Sequence, residues 1–138
     1  MRARMERCFA RHPNRTNPYV RSLLLGDLTF EQPSPRAPRP RLVHADAAAF
    51  LEQEPAASFD GFTLSNILDG ASPAYAERLF AAVARAAAPG AVAVLRSFRE
   101  PAIAQATNRA DEDRSMLWGI VEVRPAITLP QALERIAT

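Results

Sequence analysis

Lysine is absent from this chain, and glycine, cysteine and histidine are scarce. Each shortage excludes something. A single cysteine, Cys8, cannot close an internal disulfide, and with only His12 and His44 beside it no metal-ligand spacing exists. Cys8 is therefore expected to be an inert helix residue. The five glycines stand at 26, 61, 70, 90 and 119 and none forms a G-x-G, which excludes the kind of loop whose backbone comes close to a bound ligand because no Cβ intervenes. No apolar run approaches the roughly 18 residues that span a bilayer, and the arginine-dotted start "MRARMERCFARHP" lacks the apolar centre of a secretory signal. A cytoplasmic place is expected, with a peripheral position at a membrane surface as its variant.

With 138 residues, 48% of them hydrophobic, the chain can bury one core, and the expectation is a single domain over 1–138. Charge is unevenly spread along it. The first 41 residues carry nine arginines against three acids, a surplus of six, which leaves the remainder at −4 for a total of +2. A basic segment ahead of an acidic body suits nucleic acid or an anionic membrane surface. Arginine without lysine reads more simply as a compositional bias on a solvated face, and nucleic acid ranks last among the partners considered.

The pattern divides into a helical lead-in at 1–30, a proline-rich linker at 31–40, "EQPSPRAPRP", and a regular body. In the lead-in, Met5, Cys8 and Phe9 have helical spacing over 2–11. A second helix starts with Thr16 or Asn17 as its cap and Pro18 at its first position, has Tyr19, Leu23 and Leu24 as its apolar face, and stops at Gly26. In the body, "RLVHADAAAFLEQ" predicts a strand at 41–45 delivering Asp46, with His44 as a core histidine, and a short helix at 47–53. A strand at 59–65 follows. The helix capped by Ser72 runs to Pro89-Gly90, with Tyr75, Leu79, Phe80 and Val83 along one face, and "AVAVLRSF" is the next strand at 91–97. "SMLWGIVEV" predicts a strand at 116–123 and "TLPQALERIA" a closing helix capped near Thr128. Strand and helix alternating with short loops predict a mostly parallel sheet with right-handed crossovers and flanking helices. Phe59, Phe62, Tyr75, Phe80 and Trp118 are expected in the core.

One strand ends unusually. "FDGFTLSNILDG" is apolar until it delivers Ser65, Asn66 and Asp69, and in open α/β sheets ligands bind at the carboxyl ends of strands. The run "DGFTLSNILD", a helix and "PGAVAVLRSF" resemble the second half of a class I S-adenosylmethionine-dependent transferase. Taken with "NPYVRSLLLG" at 17–26 and "DRSMLWGIVEV" at 113–123, the chain over most of its length resembles the betaine-lipid synthase family, the S-adenosylmethionine:diacylglycerol 3-amino-3-carboxypropyltransferases and their relatives. The resemblance implies a partial Rossmann-like fold lacking the N-terminal glycine-rich strand, loop and helix. It implies S-adenosylmethionine as cofactor and a lipid or membrane-surface substrate of the diacylglycerol type. With half of the usual pocket absent, weak cofactor binding or none is expected.

Within the resemblance, Asp46, Ser65 and Asn66 become cofactor residues, and Asp69, Asp113, Arg114 and Ser115 substrate-facing ones. A carboxylate at Asp46 suits the adenine amino group, and the same residue reads equally well as a helix N-cap. Ser65 and Asn66 can orient an amino acid group, or they mark a turn together with Asp69-Gly70. Arg114 offers a planar fork to a carboxylate or phosphate, and "NRADEDRS" also reads as a charged surface loop. Arg96, ending the third strand, belongs to the site rim or to the sheet edge. No Ser-His-Asp, Cys-His or paired-carboxylate arrangement stands out, and the catalytic residues are not assigned. Two alternatives remain open: a small-molecule methyltransferase fragment, and a non-catalytic module whose exposed sheet edge is covered by self-association or by a partner chain.

Overall fold

The computed structural model describes residues 1–26, 40–101 and 107–132. Their contacts cluster into two compact units, the first formed by Met1–His44 with Asp111–Leu117 and the second by Ala45–Ala110 with Trp118–Thr138. Most of the proline-rich stretch at 31–40 lies outside the described residues.

The first unit holds two helices. Helix α1 (Arg2–Arg11) ends at His12, where Pro13 prevents its continuation. Helix α2 (Pro18–Leu25) starts as its sequence predicts: the Asn17 side chain accepts from the Tyr19 amide at 3.1 Å, Pro18 fills the first position, and Gly26 closes it in the left-handed region at φ 66°. Its inward face differs from expectation. Val20 is buried with Cys8 and Met116, whereas Tyr19, Leu23 and Leu24 are exposed. The expected strand at 41–45 is also absent. Arg41–His44 are exposed and make no ladder, because among the described residues no strand lies beside them to satisfy their backbone groups; His44 is therefore not a core histidine.

The second unit is mixed α/β. Helices α3 (Ala47–Gln53) and α4 (Pro73–Ala86) accompany a three-stranded sheet of β1 (Phe59–Ser65), β2 (Ala87–Ser97) and β3 (Ile120–Pro125) in the order β1-β2-β3. The β1–β2 pair is parallel with α4 as its crossover, as predicted. The β2–β3 pair is antiparallel, so the sheet is mixed rather than mostly parallel. Helix α4 stops at Ala86, three residues earlier than Pro89-Gly90 suggested. That dipeptide instead sits where the register slips from Phe59↔Ala87 to Gly61↔Val92, a bulge suited to a residue without an N–H and to Gly90 at φ 81°. Strand β3 starts four residues late, after a loop in which Met116 has φ 63°. The segment at 126–132 forms two 3₁₀ turns, with the Thr128 hydroxyl donating to the Pro125 carbonyl at 2.8 Å instead of capping a helix. The rest of the expected closing helix lies outside the described residues.

Burial explains the layering. In α4 the residues Ala76, Leu79, Phe80, Val83 and Ala86 recur at helical spacing and are buried, and they join Ala48 and Leu51 of α3 with Leu64, Ala93 and Leu95 of the sheet. Arg78 of α4 donates to both carboxylate oxygens of Glu52 of α3, at 2.7 and 2.5 Å. Arg85 donates to the carbonyls of Leu51 and Glu54 where α3 ends. The opposite sheet face is apolar yet half open, with Val92 and Val123 exposed. Among the described residues the outer edge of β1 has no strand partner.

Candidate functional site

Because β1 and β2 are parallel, their carboxyl ends come to one place, and the polar residues there converge. Ser65 pairs in register with Arg96, whose guanidinium donates to the Ser65 hydroxyl at 3.4 Å. Asn66 follows in the left-handed region at φ 56°, its amide bonded to the Arg96 carbonyl at 2.9 Å and its own carbonyl accepting from Asp69 at 3.0 Å. Asn tolerates this conformation better than most residues, and strain of this kind persists where the surroundings fix it. The loop then returns to β2: Asp69 accepts from the Ser97 hydroxyl at 2.7 Å and from the Phe98 amide at 3.3 Å. Ser97 in turn accepts from the Arg99 amide at 2.9 Å. Beside this cluster the rings of Phe98 and Trp118 stack at 4.9 Å and 7°. Trp118 is thus half-buried in a stack rather than in the core.

One atom in the cluster is unaccounted for. The Asn66 Oδ1 is buried without a hydrogen-bond partner. Such an acceptor costs about 1–3 kcal/mol unless a donor reaches it.

Asp46 lies at the same end of the layer, because its hydroxyl partner Tyr75 is in the first turn of α4, which leaves from the carboxyl end of β1. Its Oδ1 caps α3 by accepting from Ala49 at 2.8 Å, and Arg78 stands 3.7 Å away. The Ala49 amide, then Tyr75 and Arg78, hold its carboxyl below the usual range, whereas burial, followed by the hydrogen bond to Asp46 and then its charge, pushes the Tyr75 hydroxyl up. The structure therefore shows the capping role for Asp46, without the strand that was expected to deliver it.

Asp113, Arg114 and Ser115 belong to the first unit, and each is used in holding a loop. Asp113 accepts from the Ser115 amide and hydroxyl and from the Leu117 amide, a local turn typical of aspartate. Arg114 donates to the Thr16 carbonyl, while its own carbonyl accepts from Asn17 Nδ2 at 2.9 Å and faces the Cys8 thiol at 3.7 Å. Burial, and then the Asp113 charge, push that thiol up, away from a reactive thiolate. The structure thus brings Ser65, Asn66 and Asp69 together, and it ties Asp113–Ser115 to "NPYV" instead.

Comparison with known protein families, with curated proteins and with solved structures finds no match to this chain. The site is judged by its own geometry.

Several participants were not singled out in the sequence. Ser97 was hidden inside an apolar strand. Asn17 was one of two cap candidates with Thr16, but its fully buried side chain also reaches Cys8 and Arg114. Glu122 and Arg124, an ion pair on β3 with Glu122 buried, show as charges alternating in "IVEVRP". Among the described residues no group of three or more His, Cys, Asp or Glu is placed to hold a metal, and no helix is long and apolar enough to cross a membrane.

Proposed function

We propose that the second unit is a partial Rossmann-like layer of an S-adenosylmethionine-dependent transferase, of the 3-amino-3-carboxypropyl type, acting on a diacylglycerol-type lipid. The observation that carries this reading is the buried, unpartnered Asn66 Oδ1 at the carboxyl ends of two parallel strands, in a residue whose amide donates to the Arg96 carbonyl. An α-amino acid has an ammonium donor and a carboxylate acceptor on one carbon. Asn66 suits the first and the fork of Arg96 the second.

The fit covers only part of the cofactor. No G-x-G exists to bring backbone close to the methionine moiety, so only side chains are left to hold that end, and the Asp46 carboxylate, on the adenine side, is already engaged with Ala49, Tyr75 and Arg78. When bound, the cofactor supplies a sulfonium leaving group, so alignment of a hydroxyl with the reacting carbon is the main demand on the protein. Asp69 and Ser97 serve that demand by fixing the loop that carries Asn66. Ser65 steadies the Arg96 guanidinium.

Calorimetric titration of the full chain with S-adenosylhomocysteine tests this reading. Weak binding, with a Kd on the order of 1 mM, is expected, lost in Arg96→Ala and in Asn66→Ala. No heat from folded protein, or equal binding by both variants, would refute it.

A further inference from the structure

Helix α2 presents its apolar residues the wrong way round for a core. Leu23, Leu24 and Leu25 are 58%, 64% and 69% exposed, and Tyr19 stands exposed one turn earlier. Gly26 ends the helix directly afterwards, so the three leucines are its last turn. Tyr19 and Leu23 share one side, four positions apart, but at 3.6 residues per turn Leu24 and Leu25 carry the apolar surface on round more than half of the circumference. A protein groove reads a helix through positions i, i+3, i+4 and i+7. An apolar tip facing several directions suits a fluid apolar phase better.

Charge decides between the remaining occupants. Within the described residues of the first unit, eight arginines face four acids, and α2 itself contains Arg21 and no acid. Glu6 is already paired with Arg2, and Asp111 with Arg7 and Arg11. Arg15 and Arg41 are exposed and make no ion pair among the described residues. Leu42 and Val43, also exposed and in the same unit, directly follow Arg41. A second copy meeting this unit through the same unit of its own would set positive charge against positive charge. A bilayer with anionic headgroups is negative at its surface and apolar just below.

We propose that the leucine tip of α2 docks the first unit onto an anionic lipid surface, with the leucines at the acyl boundary and Arg15 and its neighbours at the level of the phosphates. This docking does not rest on the transferase reading. Vesicle binding reports on α2 and the cofactor titration on the ends of β1 and β2, so either can fail alone.

Flotation of the full chain with phosphatidylcholine vesicles, with and without phosphatidylserine, provides the test. The wild type should float with the anionic vesicles, less so as salt is raised. Leu23→Ser/Leu24→Ser/Leu25→Ser should weaken this by at least about tenfold while circular dichroism stays unchanged, because the replaced side chains are exposed. Three results would overturn the proposal. They are no flotation with either vesicle, equal flotation of the triple variant, and a wild-type dimer that ignores vesicles but becomes monomeric in the triple variant.

Discussion

Among the described residues Cys8, Val20 and Met116 make up the buried apolar cluster of the first unit, whereas the second encloses fourteen such residues from α3, α4, the sheet and the turns after β3. Beside the packing of Met116, polar contacts join the distant segments of the first unit: Asn17 to Arg114 across 97 positions, Arg11 to Asp111 across 100. The contrast shows two ways of holding a chain. Burial is cooperative and gives a cohesive unit, while a few hydrogen bonds around a small cluster leave a unit that can open on its own. Charge follows the same division, because the arginine surplus lies in the unit with exposed leucines and the acids outnumber arginines in the unit with the closed core.

The sharpest break in this comparison is Phe80→Ala, which empties a fully buried position in α4. A loss of about 3–5 kcal/mol is expected, read from urea unfolding by circular dichroism. Next, Asn17→Ala should strip the Arg114 carbonyl of its donor, costing about 1–3 kcal/mol. Hydrogen exchange should then speed up in α2 and at 113–117 while α4 and β2 keep their protection. Uniform loss across both units would contradict the division.

Acid should act on the second unit through α3 and α4. The Ala49 amide holds the Asp46 carboxyl down, and Arg78 does so for Glu52. Depressed carboxyls contribute stability that is complete above their unfolded values of about 4 and is lost as pH falls through the lower folded ones. The melting temperature should therefore fall between about pH 5 and about pH 2, and fall less in Asp46→Asn/Glu52→Gln. Smallest of all is Leu24→Ser. An exposed leucine outside any core should change stability by no more than about 0.5 kcal/mol in the absence of lipid.

How much of this was legible depends on where the signal lies. Caps were readable because their chemistry is local: Asn17, Pro18 and Gly26 bound α2, and Ser72 and Pro73 start α4, just as their residue types require. The period of α4 likewise identified Leu79, Phe80 and Val83. The strand at 41–45 misled because "RLVHA" has strand composition but no strand beside it among the described residues, and pairing is not written in a single segment. The face of α2 misled for a related reason, since helical spacing marks an apolar side without saying what it meets. At the site, Ser65, Asn66 and Asp69 could be found from a polar strand ending, while Ser97 and the orphaned Asn66 oxygen required the β1–β2 register.

The proposed ligand site at the strand ends of the second unit is tested most directly by amide chemical-shift mapping during addition of S-adenosylhomocysteine. The predicted result is a set of saturable shifts confined to 65–69 and 96–98, with the amides of α1 and α2 unmoved. Shifts centred on 113–117 and α2, or none from a folded sample at millimolar ligand, would contradict it.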